Sequence, residues 1–258
     1  MSKSNKQKNE KIKVTNRFIS AKEVKELGID LKEVQEKMKD RITKKLIILS
    51  GAGDPENEKY KKVYDVIVSY ANNIGYDEVI IQGWMGQNSF IREGFLDFNE
   101  ATIQAVSLFK KIDSENYHYD VICRSFGTGV FLNVCQKLKL NNVGFVSLWG
   151  IPNYTAFYEL FKEKIDITIT SSKDKGVNFN YNFFESIIPY ELLLHRFDQE
   201  FKVNIVNGSE DVYSNPSFHN YLKETNKNKN FNFSLIPNLP HEVTEFNAEY
   251  LNKLFSEK

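Results

Sequence analysis

From Leu46 onward the chain repeats one pattern, a strand-length apolar run followed by a longer amphipathic stretch. The runs occupy 46–49, 78–82, 119–123, 143–148, 202–206 and 231–236. Near-continuous apolarity over so few residues is expected of strands buried on both faces, as in a parallel sheet. Most of the runs are rich in Val and Ile, whose branched side chains suit a pleated surface. Between them, 57–73, 98–111, 127–138, 217–226 and 242–255 read as helices. Strands alternating with helices need right-handed crossovers, so the expected class is α/β: a mostly parallel sheet flanked by helices.

Composition narrows the choice further. At 258 residues the chain can bury a sizeable core without staples. Its two cysteines, Cys123 and Cys135, make neither a disulfide framework nor a paired metal knuckle. His, Cys, Asp and Glu show no metal-ligand spacing, and no metal is expected. No apolar run reaches the ~20 residues that span a bilayer. The basic start (Lys3, Lys6, Lys8, Lys11, Lys13) is followed by no apolar stretch, which argues against a secretory signal and for a cytoplasmic location. Residues 1–45 carry 14 Lys and Arg against 7 Asp and Glu, an excess that the rest of the chain offsets because the totals are 34 and 34. Such a run reads as solvated surface, and no nucleic-acid partner is expected. The chain therefore divides into a basic tail with helices over 1–43 and an α/β domain over 44–258. In the tail, Ser20 with Glu23 has the spacing of a capping box, and Leu31, Val34 and Met38 recur at helical spacing.

One connection is too long for the pattern: about fifty residues separate the fourth run from the fifth. This insertion, about 151–200, carries Phe157, Tyr158, Phe161, Phe179, Tyr181, Phe183, Phe184 and Tyr190. It reads as a cap or lid over a pocket, or as an extra packing layer.

The chemistry concentrates where the third run ends. Cys123-Arg124-Ser125-Phe126-Gly127 joins a strand to a helix, and a turn that tight strains the serine backbone and lifts its hydroxyl above the sheet edge. Ser125 is the candidate nucleophile, although a serine before glycines is also an ordinary helix cap. A hydroxyl needs a base to take its proton. Of four histidines, His118 lies at the wrong end of a strand, His195 within the insertion, and His219 at an expected exposed position near a helix start. His241 alone follows a strand at the edge where Ser125 sits, and ligands of open α/β sheets gather at that edge. Asp211, beyond Gly208 in the loop after the fifth run, is the carboxylate expected to orient the imidazole, with Glu210 as its rival. The first run ends in Ser50-Gly51-Ala52-Gly53-Asp54, where glycines permit close backbone approach. The Ala52 and Phe126 amides are candidate oxyanion donors, Phe126 at a helix start that favours anions. The loop lacks the Gly-Lys-Ser/Thr of a nucleotide site. Asp54 beside it is awkward, since its charge opposes an oxyanion unless it turns away. Gly83-Trp84-Met85-Gly86 suggests an apolar pocket wall, with Trp84 and Met85 as candidate substrate contacts.

Serine, acid and histidine in that chain order, each after a strand, resemble the α/β-hydrolase superfamily over roughly 44–258. Cys123 departs from the glycine usual there, and the family's first hairpin is missing or replaced by the N-terminal helices. The resemblance implies an α/β-hydrolase fold with a cap at the insertion, a Ser125–His241–Asp211 triad and an acyl-enzyme, with no metal or organic cofactor. The implied activity is hydrolysis of a small-molecule carboxylic ester, thioester or amide. An acyltransferase on the same fold, or a catalytically silent binding module, is the alternative.

Overall fold

The structure, a computed structural model, describes residues 44–84, 96–115, 117–161, 166–169, 177–180, 183, 186–187, 189–241 and 248–255. The helices expected over 21–41, and Met85, lie outside these residues.

The six apolar runs become six strands: β1 (Lys44–Leu49), β2 (Glu78–Gln82), β3 (His118–Arg124), β4 (Val143–Trp149), β7 (Val203–Glu210) and β8 (Phe231–Pro240). They form one sheet in the order β2-β1-β3-β4-β7-β8. Every neighbouring pair is parallel. The helices fall between them as the periodicity predicts: α1 (Glu58–Asn73), α2 (Phe98–Ser114), α3 (Phe126–Lys137), α6 (Pro216–Thr225) and α7 (Ala248–Leu254). The insertion contributes α4 (Tyr154–Phe161), the antiparallel hairpin β5 (Asp166–Ile169) and β6 (Val177–Asn180), and α5 (Tyr190–His195). No helix among the described residues is long and apolar enough to cross a membrane.

Alternation along the strands explains why whole runs are apolar. In β1, Ile47 and Leu49 join one buried cluster with Val121, Cys123 and Phe131, while Leu46 and Ile48 join another with Tyr64, Trp149 and Tyr250. The sheet is thus covered on both faces, and each fully buried Leu, Ile or Phe contributes about 1.5–3 kcal/mol. Local signals set the helix starts. Asp97 caps α2 by accepting the Glu100 N–H at 2.9 Å. Asn215 caps α6 by accepting the Phe218 N–H at 2.9 Å, with Pro216 in the first turn.

Two details differ from the sequence reading. The fifth run does not end at Val206: β7 continues to Glu210, with a register shift between Gly208 and Glu210. Gly208 is therefore not a turn residue. It lies where a Cβ would collide with the Leu239 backbone, so the glycine permits a close strand approach. His219 is not exposed but buried, 2% accessible, because α6 turns that face toward β7 and β8.

The strand order also places the site. The chain leaves β1 for the edge strand β2, then crosses back to β3 on the other side of β1. The order reverses between β1 and β3, and such a switch opens a crevice at the strands' carboxyl ends. The Gly51 loop follows one of these strands and Ser125 the other.

Candidate active site

Ser125 stands between β3 and α3 with φ 47° and ψ −114°, a left-handed conformation that a residue with a side chain adopts at a cost of about 1–3 kcal/mol. Its geometry is enforced on both sides. The Ser125 N–H donates to the Trp149 carbonyl at 2.8 Å. A Cβ on Gly127 would lie 2.5 Å from the Leu49 carbonyl oxygen and 2.6 Å from that of Ser50, so only glycine lets α3 start this close to β1. Cys123 is fully buried, in the core cluster with Ile47, Leu49 and Phe131. The helix-cap alternative fails on geometry, because the Ser125 side chain makes no capping hydrogen bond.

The hydroxyl meets His241 instead. Ser125 Oγ lies 3.0 Å from His241 Nε2, and His241 Nδ1 lies 2.8 Å from Asp211 Oδ2. Asp211, 2% exposed, is held through its other oxygen, which accepts the N–H groups of Tyr213 at 2.9 Å and Ser214 at 2.8 Å. Glu210, its rival, is exposed on the end of β7. A carboxylate only accepts, so the imidazole presents Nδ1–H to Asp211 and leaves the Nε2 lone pair for the serine proton. The Tyr213 ring stands edge-on to the imidazole at 4.8 Å. Three strand ends thus deliver three side chains to one chain of hydrogen bonds, an arrangement able to make a hydroxyl nucleophilic.

The remaining candidates fall around this centre. The Gly51 N–H donates to the Tyr64 hydroxyl at 3.2 Å, which anchors the loop. The Ala52 and Phe126 N–H groups donate no hydrogen bond among the described residues. Asp54 is turned away by a local bond, its Oδ1 accepting the Glu56 N–H at 2.9 Å. Trp84 is buried rather than a pocket wall: its indole N–H donates to the Ser50 carbonyl at 2.9 Å and its ring meets Phe126 edge-on at 5.9 Å. Phe183 of the insertion stacks on Phe126 at 5.8 Å, and Tyr154 stacks on Tyr190 at 5.3 Å. The Tyr190 hydroxyl hydrogen-bonds to Thr128 in α3. These insertion aromatics are core, packed on the helix that follows Ser125. The side chains of Phe157, Phe161, Phe179, Tyr181 and Phe184 lie outside the described residues.

Three residues outside the nominated set support the centre. Gly150, after β4, has φ 64°, and a Cβ there would lie 3.2 Å from His241 Nδ1 and 3.4 Å from Asp211 Oδ2. Asn207, fully buried, accepts the Ile151 N–H at 3.1 Å and donates to Ser214 Oγ at 2.7 Å. It also lies 3.2 Å from Nδ1 of His219, the third, whose pKa is lowered by burial and by Lys223 nearby. Asn207 directly follows the apolar run 202–206 and precedes Gly208, so in the sequence it reads as the start of a turn rather than as a buried strand residue.

No protein-family model matches the chain, and no curated protein matches it by sequence. Solved structures do. A monoacylglycerol lipase of Paleococcus ferrophilus superposes with a TM-score of 0.59 at 12% identity, covering 83% of this chain and 95% of that one. Mouse alpha/beta hydrolase domain-containing protein 10 gives 0.58 at 12%, covering 82% and 86%. The esterase domain of a Rhodothermus marinus protein gives 0.53 at 14%, covering 84% and 83%. With the parallel sheet and its order described above, these likenesses identify the architecture: the chain has the α/β-hydrolase fold.

Proposed function

We propose that the chain is a serine hydrolase that cleaves a small-molecule carboxylic ester, or a related thioester or amide, through an acyl-enzyme. The observation that carries this reading is the unbroken relay from Ser125 Oγ to His241 Nε2 at 3.0 Å and from His241 Nδ1 to Asp211 Oδ2 at 2.8 Å. Ser125 Oγ attacks the carbonyl carbon while its proton passes to His241 Nε2. Asp211 stabilises the imidazolium so formed and keeps the ring in its useful tautomer. The carbonyl electron pair moves onto oxygen, where the Ala52 and Phe126 N–H groups receive it. Each such donor is worth roughly 3–4 kcal/mol of barrier. Collapse expels the alcohol, thiol or amine with the proton from His241. Water, deprotonated by the same imidazole, then releases the acid. Similarity in fold to a lipase and an esterase domain supports the class of substrate.

A fluorophosphonate probe tests the reading. The wild-type protein is expected to label stoichiometrically at one residue, and Ser125→Ala to lose labelling while keeping its circular dichroism spectrum. Equal labelling of the variant would reject Ser125 as the nucleophile. Product analysis with an added alcohol separates hydrolysis from acyl transfer.

A further inference from the structure

Arg124, the residue before Ser125, is unused by the chemistry above and is anomalous. It is 4% exposed, and its Nε is a buried donor with no acceptor. Among the described residues its guanidinium forms no ion pair. Two rings enclose it: its carbon centre is 5.4 Å from the Tyr60 ring and 5.0 Å from the Trp149 ring. Ring faces return only part of what a guanidinium loses on leaving water. Arginine does not escape by deprotonating. A permanent positive charge is therefore buried between two rings, with no ion-pair partner among the described residues.

Its position gives the charge a use. The point where a Gly51 Cβ would sit is 3.7 Å from Arg124 Nη1 and 3.4 Å from Ser125 Cβ. One point beside Gly51 thus lies within van der Waals range of both the guanidinium and the serine side chain. Tyr250 in α7 senses the same charge. Burial pushes its phenol pKa well up, Arg124 pulls it down and Asp211 pushes it up, so one ring lies within reach of both charges. An unbalanced buried cation gains nothing in the resting protein, but it gains when negative charge appears nearby. Attack by Ser125 creates such a charge.

We propose that Arg124 is the fixed counter-charge of this site: it stabilises the negative charge that develops on the substrate when Ser125 attacks. The proposal rests on the serine-hydrolase reading. Arg124 touches no reacting atom and keeps its proton throughout. The Ser125 proton goes to His241 Nε2, the Oγ–carbon bond forms, and the carbonyl pair moves to the oxygen whose charge Arg124 balances. Among the described residues, the other titratable groups around Arg124 and His241 are Asp211 and Tyr213 in the acid loop, Tyr60 and Tyr64 in α1, Tyr250 in α7, and Asp54, whose carboxylate accepts the Glu56 N–H. Of these, Asp211 hydrogen-bonds the imidazole.

At several ångströms and an effective dielectric constant of about 20, a unit charge alters a barrier by about 10- to 100-fold in rate. Arg124→Gln is expected to lose that factor in kcat/KM for p-nitrophenyl acetate and in the rate of fluorophosphonate labelling. Arg124→Lys is expected to stay within about fivefold of wild type near pH 7. It is also expected to acquire a descending limb at higher pH, since a partly buried ammonium gives up a proton that a guanidinium retains. A folded Arg124→Gln with the wild-type rate would overturn the proposal, and so would Arg124→Lys without the new limb. Arg124→Lys decides alone if Arg124→Gln does not fold. A wild-type protein that fails to label would sink the hydrolase reading instead, a result distinguishable from a labelled wild type indifferent to residue 124.

Discussion

Gly150→Ala isolates the geometry of the site from its chemistry. Gly150 touches none of the reacting atoms, but its φ is 64° and the space beside its Cα is filled by the imidazole and the carboxylate. An added methyl would sit 3.2 Å from His241 Cε1 and Nδ1 and 3.4 Å from Asp211 Oδ2, so the ring must give way by a few tenths of an ångström. The backbone contributes a separate penalty, about 1–2 kcal/mol for a side chain in the left-handed region. For a chain of this size that lowers the melting temperature by roughly 2–8 °C. The catalytic cost is worked from the relay itself. An imidazole displaced toward or away from Ser125 alters a contact that stands at 3.0 Å, and a misplacement of about 1 Å is worth about 100-fold. A shift of a few tenths is then expected to lower kcat for p-nitrophenyl acetate about 5- to 20-fold, with KM little changed. Gly75→Ala is the control. It also has a positive φ, 97°, but nothing lies within 4 Å of its Cβ position. It is expected to lose comparable stability and to keep kcat. The two variants are compared by thermal melting and steady-state kinetics. Equal kcat in both, after correction for folded fraction, would refute the claim that Gly150 sets the position of His241.

Two further outcomes follow from the same geometry. Asp211→Asn offers an amide where the Nδ1–H needs an acceptor, favours the wrong tautomer, and is expected to lower kcat about 10³- to 10⁴-fold with binding intact, measured by steady-state kinetics. His219 is held with a depressed pKa by burial and Lys223. The unfolded chain therefore takes up a proton at His219 before the folded one does. Its contribution to stability is complete above the unfolded value of about 6.5 and is lost as pH falls from there toward the folded pKa. His219→Gln, which keeps an acceptor for Asn207, is expected to flatten the loss of stability below about pH 6.5 in denaturant titrations. An unchanged slope would assign that loss to other groups.

Much of the architecture was legible because burial on both faces leaves an unambiguous pattern. β2 occupies 78–82 as its apolar run indicates, and α1, α2, α3 and α6 lie within a few residues of their periodic stretches. Strand ends were less legible. Gly208 looks like a turn residue in isolation, and only the Leu239 backbone lying against it reveals a strand interior. His219 looks exposed because its accessibility depends on how α6 rotates onto β7 and β8, which a single helix does not encode. Trp84 looked like a pocket wall because an aromatic beside glycines carries no information about which way it faces.

Chain order and local chemistry were enough to nominate Ser125, Asp211 and His241. Each follows an apolar run, and a parallel sheet sends the carboxyl ends of its strands to one edge whatever the details of packing. Contact between them is a different matter. It depends on a sheet order that brings β1 beside β3, on the φ of 47° at Ser125, and on the absence of a Cβ at Gly127 and Gly150. It depends equally on Asn207 tying the acid loop to the residue after Gly150. The buried charge of Arg124 belongs to the same class, since burial and enclosure by the Tyr60 and Trp149 rings are properties of surroundings drawn from distant parts of the chain. Periodicity is a local quantity and survives in the sequence. Distances between residues 116 apart, such as Ser125 and His241, exist only once the layers have packed.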